Sequence, residues 1–192
     1  MACGRRSRRR RPPSRPLRAL RDRARVTRLA DPRFRLAAAV ALAVLVLDQA
    51  TKAIDERTMT PHQTIPLLPF FALSYVRNTG AAFGVFAGAP AWLRLPLFLG
   101  VTVIAMAALV SLLRSTAADR SWVVAALGAI LGGAFGNLVD RIRYGEVIDF
   151  LDAYWGNLHW PAFNVADSAI TVGVLIVLFA SLQDRDGAAG GR

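Results

Sequence analysis

Four stretches of this chain are too long and too apolar for an ordinary water-soluble domain, and they limit the possible folds more than any other feature. They cover residues 36–54, 92–113, 122–139 and 165–182. A helix needs roughly 20 mainly apolar residues to cross a bilayer. The first run follows an arginine-rich region, as the apolar part of a cleaved signal peptide would, but such a peptide ends in a small-x-small cleavage site. Asp48-Gln49-Ala50-Thr51-Lys52 stands there instead, so a retained span is expected. The expected fold is an all-α membrane bundle of four transmembrane helices.

The formal net charge of +11 has the size of a nucleic-acid signature until it is located. Residues 1–35 hold fourteen Arg against Asp22 and Asp31, which leaves the rest of the chain near neutral. This region has little bulky apolar content and is read as a disordered basic tail. It suits contact with anionic lipid headgroups. Specific nucleic-acid binding is not expected, because no aromatic residue interleaves with the arginines before Phe34. The organisation read from sequence is thus a tail (1–35), a membrane domain (36–182) and a short C-terminal tail (183–192). Cys3 is the single cysteine, so no internal disulfide can form.

Four spans put both termini on one side, and the arginine tail assigns that side to the cytoplasm. Arg114, Arg120 and Arg185 agree with this orientation. Loops 55–91 and 140–164 then face outward. The first contains an aromatic and β-branched stretch, residues 64–76, that predicts short strands restricted to edges by Pro66 and Pro69. The second carries Tyr154, Trp155 and Trp160, suited to a membrane-interface belt. In the third span Gly128, Gly132 and Gly136, with Gly133 beside them, form a small-xxx-small pattern that lets another helix come close.

Charged residues inside spans cost about 2.5–3.5 kcal/mol each at mid-membrane. The chain places Asp48 and Lys52 in the first span, Asp140 and Arg141 at the end of the third, and Asp167 at the start of the fourth. With the expected topology all of them lie near the outer ends of their helices, which implies one polar site at the outer boundary. Plainer readings exist for each, and Asp140 or Arg141 could simply mark where the third helix reaches water. Asp48 and Lys52, four apart, could form a salt bridge that eases insertion, and Asp167 could be a helix N-cap. His62 and His159 are too isolated for a metal site, and no Ser or Cys lies beside a base. Paired carboxylates are the remaining chemistry, and the outer boundary offers several. A proton-relay transporter would use intramembrane acids too, but its acids should be spread through the membrane depth.

Five blocks in order resemble the lipoprotein signal peptidases (signal peptidase II). They are Asp48-Gln49-Ala50-Thr51-Lys52; Asn78-Thr79-Gly80-Ala81-Ala82-Phe83-Gly84; Gly132-Gly133-Ala134-Phe135-Gly136-Asn137-Leu138-Val139-Asp140-Arg141; Val147-Ile148-Asp149-Phe150; and Phe163-Asn164-Val165-Ala166-Asp167-Ser168-Ala169-Ile170. The resemblance implies an aspartic endopeptidase of the bacterial cytoplasmic membrane with a small β-rich extracytoplasmic platform. It implies Asp149 and Asp167 as the catalytic pair. It implies Asp48, Lys52, Asn78, Gly80, Asn137, Asp140, Arg141 and Asn164 as substrate-binding or supporting residues. The implied substrate is a prolipoprotein cut just before a diacylglyceryl-modified cysteine. No metal or organic cofactor is expected, and the protein is expected to act as a monomer among membrane lipids.

Overall fold

The structure is a computed structural model that describes residues 31–80 and 85–189, with side chains of the last helix described as far as Asp184. The tail before Asp31, the Ala81-Ala82-Phe83-Gly84 end of the second block, the Arg185 side chain and residues 190–192 lie outside the described residues. The apolar runs form α1 (Pro32–Thr58), α2 (Ala91–Ser115), α3 (Ser121–Tyr144) and α4 (Val165–Ala189). All four are long and apolar enough to cross a membrane. The 27 residues of α1 extend for about 40 Å at 1.5 Å per residue. About one turn at each end therefore lies beyond the 36–54 run.

α3 is the centre of the bundle because its glycines let two neighbours approach its backbone. A Cβ on Gly128 would lie 2.6 Å from the Ala37 carbonyl oxygen, and one on Gly132 would strike the Ala41 carbonyl. These two residues, with Gly136, face α1, whereas a Cβ on Gly133 would lie 2.5 Å from the Ala166 carbonyl oxygen of α4. The small-residue pattern thus serves two interfaces. At one end, Ala37, Leu113, Val123, Val124, Leu127 and Ala180 form a buried apolar cluster. Outside the bundle, Val101, Ile104, Leu175 and Phe179 are exposed, as residues facing acyl chains would be.

At the other end sits an antiparallel sheet of β1 (Thr64–Leu68), β2 (Phe71–Asn78), β3 (Val147–Trp155) and β4 (Leu158–His159), in that spatial order. Pro66 lies in β1 and Pro69 in the β1–β2 turn, so both prolines stay on the edge as expected. β3 arises in loop 140–164, where the sequence predicts only an aromatic belt. Val147-Ile148 and Phe150-Leu151 give it the bulky apolar content of a buried strand. α3 ends at Gly145, whose left-handed φ of 75° and N–H bond to the Arg141 carbonyl close the helix. Only Gly145 and Glu146 then separate α3 from β3. Asp149 is thereby held at a short, fixed path from the helix carrying Asn137 and Asp140.

Candidate active site

The site begins with one ammonium group. Lys52 Nζ lies 2.9 Å from Asp48 Oδ2, 2.7 Å from Asp140 Oδ2 and 3.0 Å from Asn137 Oδ1. Its three N–H donors are therefore all engaged, and all four residues are buried. The i,i+4 spacing does produce a salt bridge, but not a private one: Lys52 ties α1 to α3. Asp48 also reaches a third helix, since its Oδ1 accepts the Ala166 N–H at 3.0 Å. Carboxylate charge at the N-terminus of α4 is favoured by the helix dipole. Gln49 Nε2 donates to Asp140 Oδ1 at 2.9 Å.

The two asparagines carry this order to the acids. Asn137 Oδ1 accepts from Lys52 and from Asn164 Nδ2 at 3.1 Å, which orients the Asn137 amide so that its Nδ2 donates to Asp167 Oδ1 at 2.8 Å. Asn164 Nδ2 also donates to Asp149 Oδ1 at 2.8 Å. Asn164 immediately precedes α4, and its Oδ1 accepts the Asp167 N–H at 2.9 Å while Asp167 Oδ2 accepts the Asn164 N–H at 3.3 Å. This is a capping box. The N-cap is thus Asn164, and Asp167 sits three residues later as the reciprocal acceptor, a correction to the simpler N-cap reading of Asp167.

Asp149 comes from β3, a strand packed against both α1 and α3. Its Oδ2 accepts from Asn78 Nδ2 at 3.0 Å, and Asn78 Oδ1 accepts the Gly80 N–H at 2.9 Å. Burial first, and the Asp167 charge second, push the Asp149 carboxyl up to about 7, against the opposing pull of the Asn78, Lys52 and Asn164 side chains. Asp149 therefore holds its proton far above the ordinary carboxylate range. Arg141 lies over the Phe98 ring, 4.9 Å from its centroid, with a long 3.4 Å contact to the Gly80 carbonyl. Among the described residues no carboxylate lies within ion-pair distance of Arg141.

Asp149 and Asp167 line one cleft of about 580 Å³ between the sheet and α4. Asn78 and Ser168 add polar groups, while Trp160, Phe163, Ile170 and Val172 make much of the wall apolar. All ten residues implied by the resemblance gather at this end of the bundle, nine in one hydrogen-bonded network that includes Gly80 through Asn78, with Arg141 at its edge. Two carboxyls linked through the Asn137 and Asn164 side-chain amides, with room for a substrate, can perform general acid–base chemistry on a bond placed between them. Sequence reasoning misses Gln49, whose amide bridges Asp48 and Asp140. A polar residue beside Asp48 within an apolar run is its only signal. It also misses the pairing of His159 with Asp152 at 3.0 Å.

Comparison with known proteins bears on the family and the fold. A family model described as Signal peptidase (SPase) II matches residues 40–183. A lipoprotein signal peptidase of Geobacter sulfurreducens is 50% identical over 155 residues, which cover 80% of this chain and 96% of the relative. One from Pseudomonas putida is 43% identical over 152 residues, covering 77% and 88%. A solved bacterial membrane enzyme superposes with a TM-score of 0.71 at 33% identity, covering 79% of this chain and 90% of that one.

Proposed function

Because this chain belongs to the signal peptidase II family, we propose that Asp149 and Asp167 are the dyad with which it hydrolyses its substrate. The protein is an aspartic endopeptidase of the membrane that removes signal peptides from lipoprotein precursors. The observation that carries the dyad reading is that Asn164 and Asn137 join the two acids in one hydrogen-bonded network, with both carboxyls facing the same cleft.

In this reading one proton is shared between the carboxyls, since like charges at close range do not both ionise readily. Asp149, shifted to about 7, holds it in the resting pair and polarises the scissile carbonyl. Asp167 accepts a proton from water, which adds to that carbonyl carbon. Collapse of the tetrahedral intermediate breaks the C–N bond, and a proton from the dyad passes to the departing amine. Lys52, Asp48, Asp140 and Gln49 do not touch the substrate; they fix the asparagines.

The substrate class follows the relatives' names and the site's depth. A precursor whose cysteine carries a diacylglyceryl group stays in the bilayer, and its cleavage site lies near the headgroups. The apolar α4 side of the cleft, Ile170 and Val172, gives lateral access from the acyl chains. We assign the site end to the outer face and both termini to the cytoplasm, since Arg33, Arg114 and Arg120 cluster at the opposite end. We likewise assign the residues before α1 to a basic tail on anionic lipid. The test is incubation of the purified protein, as a monomer in lipid nanodiscs, with a diacylglyceryl-modified prolipoprotein and with its unmodified precursor. Release of the signal peptide from the modified form only is expected. Equal cleavage of both would sink the lipid-dependent reading, and cleavage of neither would sink the peptidase assignment for this substrate class.

A further inference from the structure

Asp149 and Asp167 belong to different bodies: the first rides on the sheet, the second on the helix bundle. Whatever locks the sheet to the helices therefore sets the geometry of the pair. β3 is tied to α3 by its two-residue link, but β2, which supplies Asn78 to Asp149, has no such covalent tether at this end.

Arg77 fills that place. It lies in β2 directly before Asn78, and with Tyr75 it occupies the opposite side of the strand from Asn78. Its guanidinium makes three bonds of 2.9 Å: to Glu56 Oε1 near the end of α1, to Glu146 Oε1 in the α3–β3 link, and through Nε to the Tyr75 hydroxyl. The group also lies 5.5 Å from the Tyr75 ring centroid and 5.4 Å from that of Tyr144, the last residue of α3. Tyr144 in turn donates its hydroxyl proton to Glu56 Oε2 at 3.3 Å, and Arg143 lies over its ring. A lone exposed ion pair contributes little. Here one planar fork holds two carboxylates, a hydroxyl and two ring faces, an arrangement Lys cannot reproduce.

We propose that Arg77 is a positioning residue for peptide-bond hydrolysis: its clamp on α1, α3 and the α3–β3 link holds β2 so that Asn78 keeps its bond to Asp149. The assignment rests on the dyad reading above. Neither glutamate touches the dyad network, and Arg77 touches no substrate-facing group of the cleft, so the effect on chemistry must travel through the strand. Register supports this path, because Val76 pairs with Asp149, Arg77 with Ile148 and Asn78 with Val147. A displaced Arg77 moves Asn78 and the partner of Asp149 together.

The experiment compares full-length wild type, Arg77→Ala, Arg77→Lys and Asp149→Asn in lipid nanodiscs, with activity expressed per mole of folded enzyme. Arg77→Ala should lose about tenfold or more in kcat, as small misplacements of reacting groups do, with KM changed by less than about twofold. Losing the Asn78 N–H lets Asp149 keep its proton to higher pH, so the alkaline limb of kcat should move upward. Arg77→Lys should restore only part of both quantities. Wild-type kcat and an unmoved limb in Arg77→Ala would overturn the proposal even if its melting point falls, since that pattern is purely structural. If Arg77→Ala is not recovered folded, Glu146→Gln combined with Glu56→Gln takes its place: a loss of kcat with a raised limb supports the clamp, and wild-type values of both overturn it. An active Asp149→Asn would sink the dyad reading and this proposal with it; an inactive Asp149→Asn beside an unaffected Arg77→Ala would sink this proposal alone.

Discussion

Lys52 shows what one side chain must do when charge is buried between helices. Its ammonium pairs with Asp48 and Asp140 at once, with all three side chains at most 3% exposed. Lys52→Met removes the cation and leaves two buried carboxylates without a countercharge, a change that costs about 3–5 kcal/mol in buried pairs. Chemical unfolding in detergent should show a loss of that size, partly recovered when Asp48→Asn is added. A wild-type midpoint in Lys52→Met would contradict the role assigned here. Asp149 carries a second prediction. Unfolded, an Asp titrates near ~3.9; folded, this one titrates at about 7. Between those values the folded state binds the extra proton, so the group's contribution to stability declines as pH rises and levels off above 7. Asp149→Asn has no such titration and should gain stability relative to wild type as pH rises from about 4 to 7. Parallel stability curves for the two proteins would refute the shift.

Among the helices and strands, the four spans and their crowded glycine faces were legible in the apolar runs and the four-residue spacing, because both features are local. The partner of each glycine was not, since Gly128 and Gly136 meet Ala37 and Asp48 of α1, far earlier in the chain. The site glycine differs in function from the others. A Cβ at Gly136 would lie 2.5 Å from Asp48 Oδ2, so Gly136→Ala should disturb the Lys52 network and lower kcat several-fold. Gly128→Ala, against the Ala37 backbone far from the acids, should reduce stability by about 1–3 kcal/mol while leaving kcat per folded molecule near wild type. Equal kcat in both variants would show that the Asp48 contact does not matter to the site. The strands were harder to read. β1 and β2 announced themselves by residues 64–76, whereas β3, though the longest strand at nine residues, hid behind its two aspartates. The Arg77 clamp had no sequence signal at all: its glutamates lie 21 and 69 residues away, and only the fold brings them to it.

In the whole molecule the cleft lies between the sheet and α4, and the buried charges of the dyad network, Asp48, Lys52, Asp140 and Asp149, gather at the same end of the bundle. A relay through the membrane would need acids along its depth, and the buried cluster at the bundle's other end is purely apolar. The assigned orientation predicts that Arg57→Cys and Gly156→Cys, made in a Cys3→Ser background, react with impermeant thiol reagents from outside intact cells, and that Ala117→Cys does not. The reverse pattern would put the cleft in the cytoplasm. All of this depends on the dyad, and single-turnover cleavage of a diacylglyceryl-modified prolipoprotein reads the dyad with the fewest intervening steps. Asp149→Asn and Asp167→Asn keep the shape of each carboxyl and remove its titratable proton. Both variants should fold, bind substrate and release no signal peptide, with chelators leaving wild-type turnover unchanged. Wild-type cleavage by either purified variant would remove that residue from the pair and leave the proposed hydrolysis without its acid–base couple.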